Sequence, residues 1–254
     1  MQRQRYTPPS TIPRVCRLTV LMLLPLVGAL LAGCARPADH ATQAVATVPP
    51  AAHVPAADPA LLKDAEKTAA TPVRLLPNSD WLRNTAATTG IPLRALTAYA
   101  GAALRTATLA PRCRLGWTTL AGIGESESHH GTIHGSTLGD DGRTTPPLYG
   151  PRLDGSEFTH VPDSDGGALD GDPEYDRAMG PLQIIPTTWK VWASPGWDPQ
   201  NIDQQAVAAA RYLCHSGGDL STEAGWRAAI TAYNPARSYL DKVAHTTLTY
   251  ASSL

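Results

Sequence analysis

The sequence predicts a mostly α-helical domain carrying one long, loop-rich insertion. Apolar residues recur at helical three- and four-residue spacing over seven separate stretches. Alternating runs of the kind that form half-buried strands are missing. Fifty residues from Gly131 to Gly180 are rich in Gly, Pro and Asp and show little periodicity, a length of irregular chain that in a compact domain is usually functional. At 254 residues the chain is long enough for one domain with a real core. Its 21 basic and 22 acidic residues give a net charge of −1, without the basic footprint of a nucleic-acid binder.

The N-terminus reads as an address. Residues 1–17 hold Arg3, Arg5, Arg14 and Arg17 and no acid, and an apolar run follows from Leu18 to Leu31. That run is shorter than the ~20 residues a membrane-spanning helix needs. A basic segment, a short apolar segment and small residues after it form the pattern of a secretory signal. Leu31-Ala32-Gly33-Cys34 resembles a bacterial lipobox, so 1–33 is expected to be a lipoprotein signal peptide and Cys34 the lipidated first residue. Removing four basic residues and no acidic one would leave 17 against 22, a balance of −5. The protein would then sit at the outer face of a cell membrane, held by acyl chains. With Cys16 in the signal and Cys34 lipidated, Cys113 and Cys214 are left to form one disulfide in an oxidising compartment.

From Ala35 to Ala60 ten of 26 residues are Ala and five are Pro, too little apolar bulk to offset ordering, which predicts a spacer. A short helix over 61–70 would stop at Thr71-Pro72. The expected divisions are 1–33 signal, 34–76 lipidated Cys and linker, and 77–254 folded domain. In that domain Asn78-Ser79-Asp80 caps a helix through Thr88, closed by Gly90. Pro92 opens a second helix carrying Leu96, Tyr99, Ala103, Leu104 and Ala107. A third runs from Trp117 to Ser128, and helical patterns return at Pro186–Ala193, Asp203–Cys214, Thr222–Tyr233 and Ala236–Ala244.

The third helix carries the chemistry. Trp117, Leu120, Gly124 and Glu127 share one face, so Glu127 prolongs an apolar stripe with Gly124 leaving room beside it, while Glu125 sits about 200° away. A carboxylate at the end of an apolar stripe loses hydration, which raises its pKa and suits a general acid. On spacing alone, a rim glutamate that only caps neighbouring backbone is an equal reading. His129, His130 and His134 invite a metal reading, but Gly131 and Gly135 end the helix that would hold them together, so no metal is expected there.

Three ordered motifs resemble those of the goose-lysozyme-like lytic transglycosylases, specifically the B-type lytic murein transglycosylases and their exported lipoprotein members. They are Glu127-Ser128 followed by Gly131; Ala178-Met179-Gly180-Pro181-Leu182-Gln183-Ile184-Ile185-Pro186-Thr187-Thr188-Trp189; and Ala232-Tyr233-Asn234 with Tyr239. The likeness covers residues 78–246, and Pro235-Ala236 departs from the His-Ser that relatives commonly carry. It implies a lysozyme-like helical fold and cleavage of the β-1,4 bond between N-acetylmuramic acid and N-acetylglucosamine, with formation of a 1,6-anhydro end. In that chemistry Glu127 alone serves as acid and then base. Gln183 would bond near the acid and the N-acetyl group, and Tyr233 and Asn234 would line the cleft. Met179 and Gly180 would shape its wall, Tyr239 would sit behind it, and Ser128 would hold the acid helix end. For Tyr233 and Tyr239 simple core packing stays open, as does an unspecific cap for Ser128. The expected partners are peptidoglycan strands and, through the anchor, a membrane; no cofactor and no nucleic acid are expected. Two alternatives stay open: a hydrolytic muramidase on the same fold, and a non-catalytic glycan-binding wall lipoprotein.

The Asp163–Asp172 loop suggests calcium but fails the EF-hand template. Counted from Asp163, Gly166 falls at position 4 instead of 6. Asp-Gly turns that satisfy their own backbone are the better reading.

Overall fold

Eight helices account for about half of the residues described by the computed structural model, 53–254. They are α1 (Ala65–Ala70), α2 (Ser79–Thr89), α3 (Leu93–Leu109), α4 (Trp117–Ser128), α5 (Pro186–Trp192), α6 (Ile202–Gly217), α7 (Glu223–Tyr233) and α8 (Arg237–Ser252). The mostly helical class is therefore present. The signal segment, the Leu18–Leu31 run and Cys34 lie outside the described residues, among which no helix is long and apolar enough to cross a membrane.

Local chemistry starts and stops these helices as the sequence suggested. The Asn78 side chain accepts from the amides of Asp80 and Trp81, and Gly90, in the left-handed region, closes α2. Asn201 caps α6 in the same way, and the Thr222 hydroxyl accepts from Gly225 at the start of α7. Helix α8 runs eight residues beyond the expected Ala244. Its second half, with Thr246, Thr247 and Thr249, has weak helix propensity, and burial of Thr247 and Tyr250 outweighs it. Chain ahead of Pro77, expected as linker, also packs: Val54, Val73 and Leu76 belong to the hydrophobic core, and Ala56 pairs with Pro77.

The helix at the centre is α4, buried along almost its whole length, with no exposed surface on Trp117, Leu120, Ala121 or Ile123. A helix apolar all round belongs in the middle of a domain. Helix α8 lies so close that a Cβ on Gly122 would come within 2.3 Å of the Thr247 hydroxyl. Gly124 likewise leaves space, but not beside Glu127: the Tyr99 hydroxyl of α3 fills it, 2.0 Å from where a Cβ would stand.

Behind α4, a disulfide joins Cys113 to Cys214 of α6 across a separation of 101 residues, Cα atoms 5.3 Å apart. The long excursion between α4 and α5 contains two short antiparallel pairs. In the first, β1 (Thr137–Leu138) faces β2 (Thr144–Thr145). In the second, β3 (Tyr149–Arg152) faces β4 (Arg177–Met179), with Tyr149 opposite Met179.

Candidate active site

Helix α4 ends on two consecutive non-glycine residues in the left-handed region, His129 (φ 46°) and His130 (φ 59°). The His130 amide donates to Gly124 O at 2.9 Å, reaching six residues back across the end of the helix. Glu127 sits in the turn just before this stop. Burial pushes its carboxyl up to about 7, against the lowering influence of the Tyr239 hydroxyl and the Lys242 ammonium. Burial and, after it, the charge on Glu127 raise the Tyr233 and Tyr239 hydroxyls well above their ordinary value, so both phenols stand in its field. The Tyr239 oxygen is buried without a fully formed hydrogen bond, and Lys242 donates to Ser126 O at 3.1 Å.

The second motif folds into a tight loop closed by paired amide bonds between Met179 and Ile184. Gly180 and Gln183 both have positive φ, 67° and 50°. At Gly180 a side chain is also barred by space, since a Cβ would lie 1.9 Å from Pro199 O. Three helices hold the loop. The buried Ser128 hydroxyl of α4 donates to Pro181 O at 2.5 Å and accepts from Gly131 N at 2.7 Å. From α6, Gln205 donates to Met179 O at 2.6 Å and accepts from Leu182 N at 2.7 Å. From α7, the Tyr233 hydroxyl donates to Leu182 O at 2.6 Å. Buried polar groups left without such partners would cost about 1–3 kcal/mol each. The three sequence motifs thus meet at the Pro181-Leu182 backbone.

Some expected residues take other places. Met179 has no exposed surface and packs in the core instead of shaping an open wall. Gln183 turns back on its own loop, donating to Gly180 O at 2.9 Å. The Asn234 side chain accepts from Ala236 N at 3.0 Å, forming the turn between α7 and α8. A hollow of about 140 Å³ adjoins the site, lined by Gln183, Ile184, Thr188, Tyr212 and Tyr233 among others; Glu127 is not in its lining. A larger hollow of about 580 Å³, between α2 and the end of α8, holds none of the expected site residues.

Three participants were not foreseen. Gln205 sits in an Ala-rich helix where nothing local marks it, and Lys242 looks like any surface lysine. His130 was read only as a failed metal ligand, yet its ring is buried among Tyr99, Tyr250 and Glu125. Among the described residues, no group of three His, Cys, Asp or Glu side chains is placed to hold a metal. The Asp-rich loop binds its own backbone: Asp163 accepts from the amides of Asp165, Gly166 and Gly167, Asp170 from Asp172 and Arg177, and Asp172 from Glu174 and Tyr175. No family model, curated protein or solved structure matches this chain.

Proposed function

We propose that the protein is a peptidoglycan lytic transglycosylase with a lysozyme-like fold, tethered to the outer face of a cell membrane through Cys34. The observation that carries this reading is the state of Glu127: a carboxyl pushed up to about 7 by burial, at the end of the central helix, against the lowering influence of the Tyr239 hydroxyl and the Lys242 ammonium. Glu125, two residues away, lies instead against the His130 ring. Glycosidases that use water or a protein nucleophile need two carboxyl groups across the bond. A lone acid with a pKa near neutrality suits a reaction in which the substrate supplies the nucleophile. Glu127 would protonate the glycosidic oxygen and afterwards take the proton from the muramic C6 hydroxyl as that oxygen closes on C1. The bond to the leaving sugar breaks, a 1,6-anhydro ring forms, and no water is consumed. Tyr233 and Tyr239, beside the carboxyl, would orient the sugar and stabilise the positive charge that develops on it.

Mass spectrometry of sacculi digested with the purified protein tests the proposal. New 1,6-anhydro ends are expected. Reducing ends instead would make the protein a muramidase, and no new ends would leave it a glycan-binding lipoprotein.

A further inference from the structure

The other side of the last α4 turn holds a buried polar cluster that the proposed reaction does not use. The His130 ring is 4% exposed. Its Nδ1 lies 3.2 Å from the Tyr99 hydroxyl, and its Nε2 lies 3.0 Å from the Tyr250 hydroxyl and 3.2 Å from Glu125 Oε2. A neutral imidazole has one donor and one acceptor nitrogen. The ring can thus donate to one of the two tyrosine hydroxyls and accept from the other, with the Glu125 carboxyl beside Nε2. The facing groups come from three helices: Tyr99 from α3, Glu125 from α4 and Tyr250 from α8, with His129 adjoining in the chain.

This cluster surrounds a backbone that is costly to hold. A non-glycine residue in the left-handed region is disfavoured because its Cβ crowds the following carbonyl oxygen, and here two stand in succession, His129 and His130. The His130 amide is fastened to Gly124 O, so one residue grips the turn carrying Glu127 by both its backbone and its ring. The missing Cβ of Gly124 is what admits the Tyr99 hydroxyl and, 3.3 Å from that position, Nδ1 of His130.

We propose that His130 is a positioning residue for Glu127: clamped by Tyr99, Tyr250 and Glu125, its ring keeps the left-handed pair in place and thereby fixes the turn that aims the acid. The inference rests on Glu127 being the acid of the proposed reaction. Without the clamp the pair relaxes, the last turn loosens, and the Glu127 carboxyl gains water.

The test uses His130→Ala and Tyr99→Phe, the second removing a single hydroxyl while keeping the ring. Two readouts are taken: the Glu127 titration by carbon-13 NMR, and the pH profile of kcat and KM on glycan strands. In His130→Ala the Glu127 titration and the basic limb of the profile should both fall by about one unit or more toward the ordinary carboxylate range. The same variant should lose kcat on the order of 10²-fold, as a misplaced reacting group does, with KM changed far less. Tyr99→Phe should move both readouts in the same direction by less. Loss of stability with an unmoved Glu127 titration in both variants would overturn the proposal. If His130→Ala does not fold, Tyr99→Phe and Tyr250→Phe decide it by the same criterion. Absence of any cleavage by the wild-type protein would count against the proposed function alone, since the NMR titration reads the positioning without it.

Discussion

Glu125 and Glu127 leave the same turn of α4 two residues apart and enter opposite kinds of surroundings. Glu127 is desolvated by burial and faces the Tyr239 hydroxyl and the Lys242 ammonium. Glu125, its side chain 34% exposed, lies 3.2 Å from the imidazole of His130. The contrast teaches that local sequence places a carboxyl on a face, while its chemistry is set by what other helices bring to that face. For Glu127 these are Tyr233 of α7 and Tyr239 and Lys242 of α8; for Glu125 they are α3 and the end of α8.

Glu127→Gln tests the contrast most severely. It keeps shape and hydrogen-bonding reach but cannot give or recover a proton. Loss of general acid catalysis alone costs ~10²–10⁴-fold, so the yield of anhydro ends should drop to near background. Glu125→Gln should lower the yield by less than about 10-fold; an equal loss would mean a two-carboxylate mechanism.

Removing the disulfide acts on neither face in particular. The chain-entropy account gives ~4.7 kcal/mol for a closed loop of this length. The double variant Cys113→Ser, Cys214→Ser should unfold at distinctly lower urea concentration while the Glu127 titration stays put. A moved titration would show that the bridge helps to aim the acid.

Ser128→Ala acts on the tie between the motifs. It strands Pro181 O in a buried setting, at about 1–3 kcal/mol in denaturant unfolding, while Gly131 N keeps its bond to Ser128 O. Unchanged stability would mean that the loop is held by Gln205 and Tyr233 alone.

The two faces should also oppose each other in pH. The folded pKa of Glu127, about 7, lies above its ordinary 4.5, so the folded state holds the extra proton and stability falls as pH rises between those values. Burial pulls His130 down from 6.5 to about 4, so there the unfolded state holds the extra proton and stability rises with pH over that window. From these two groups the wild type should be nearly flat between about pH 4.5 and 6.5. Glu127→Gln should grow more stable as pH rises through that window, and urea midpoints at several pH values will show it. The smallest effect belongs to Tyr239→Phe. Since the Tyr239 hydroxyl lowers the Glu127 pKa, its removal should raise that titration by less than about one unit. A fall would mean that the hydroxyl shields the carboxyl from water instead.

Much of this was legible in the chain itself. Helix starts at Asn78, Pro92 and Thr222 depend on neighbouring residues, so capping chemistry located them. The Cys113–Cys214 pairing came from counting cysteines, and the Asp-Gly turns from short-range hydrogen bonding. The second half of α8 was illegible because its threonines favour other structure until Thr247 meets Gly122. The β pairs were missed because two- to four-residue strands leave no periodicity to read.

By itself the sequence determined which segments coil into helices, where most of them start, which cysteines join, and that Glu127 stands at the end of an apolar helix. Those properties arise from contacts within a few residues or from counting. Only the tertiary structure decided that this helix is buried along almost its whole length, that Gln205, Ser128 and Tyr233 converge on one loop, and that His130 is locked between two tyrosines. The partners in these contacts are 31 to 120 residues apart where His130 meets Tyr99 and Tyr250, and 23 to 53 apart around the loop. No local pattern encodes such meetings, because they follow from the packing of whole helices against one another.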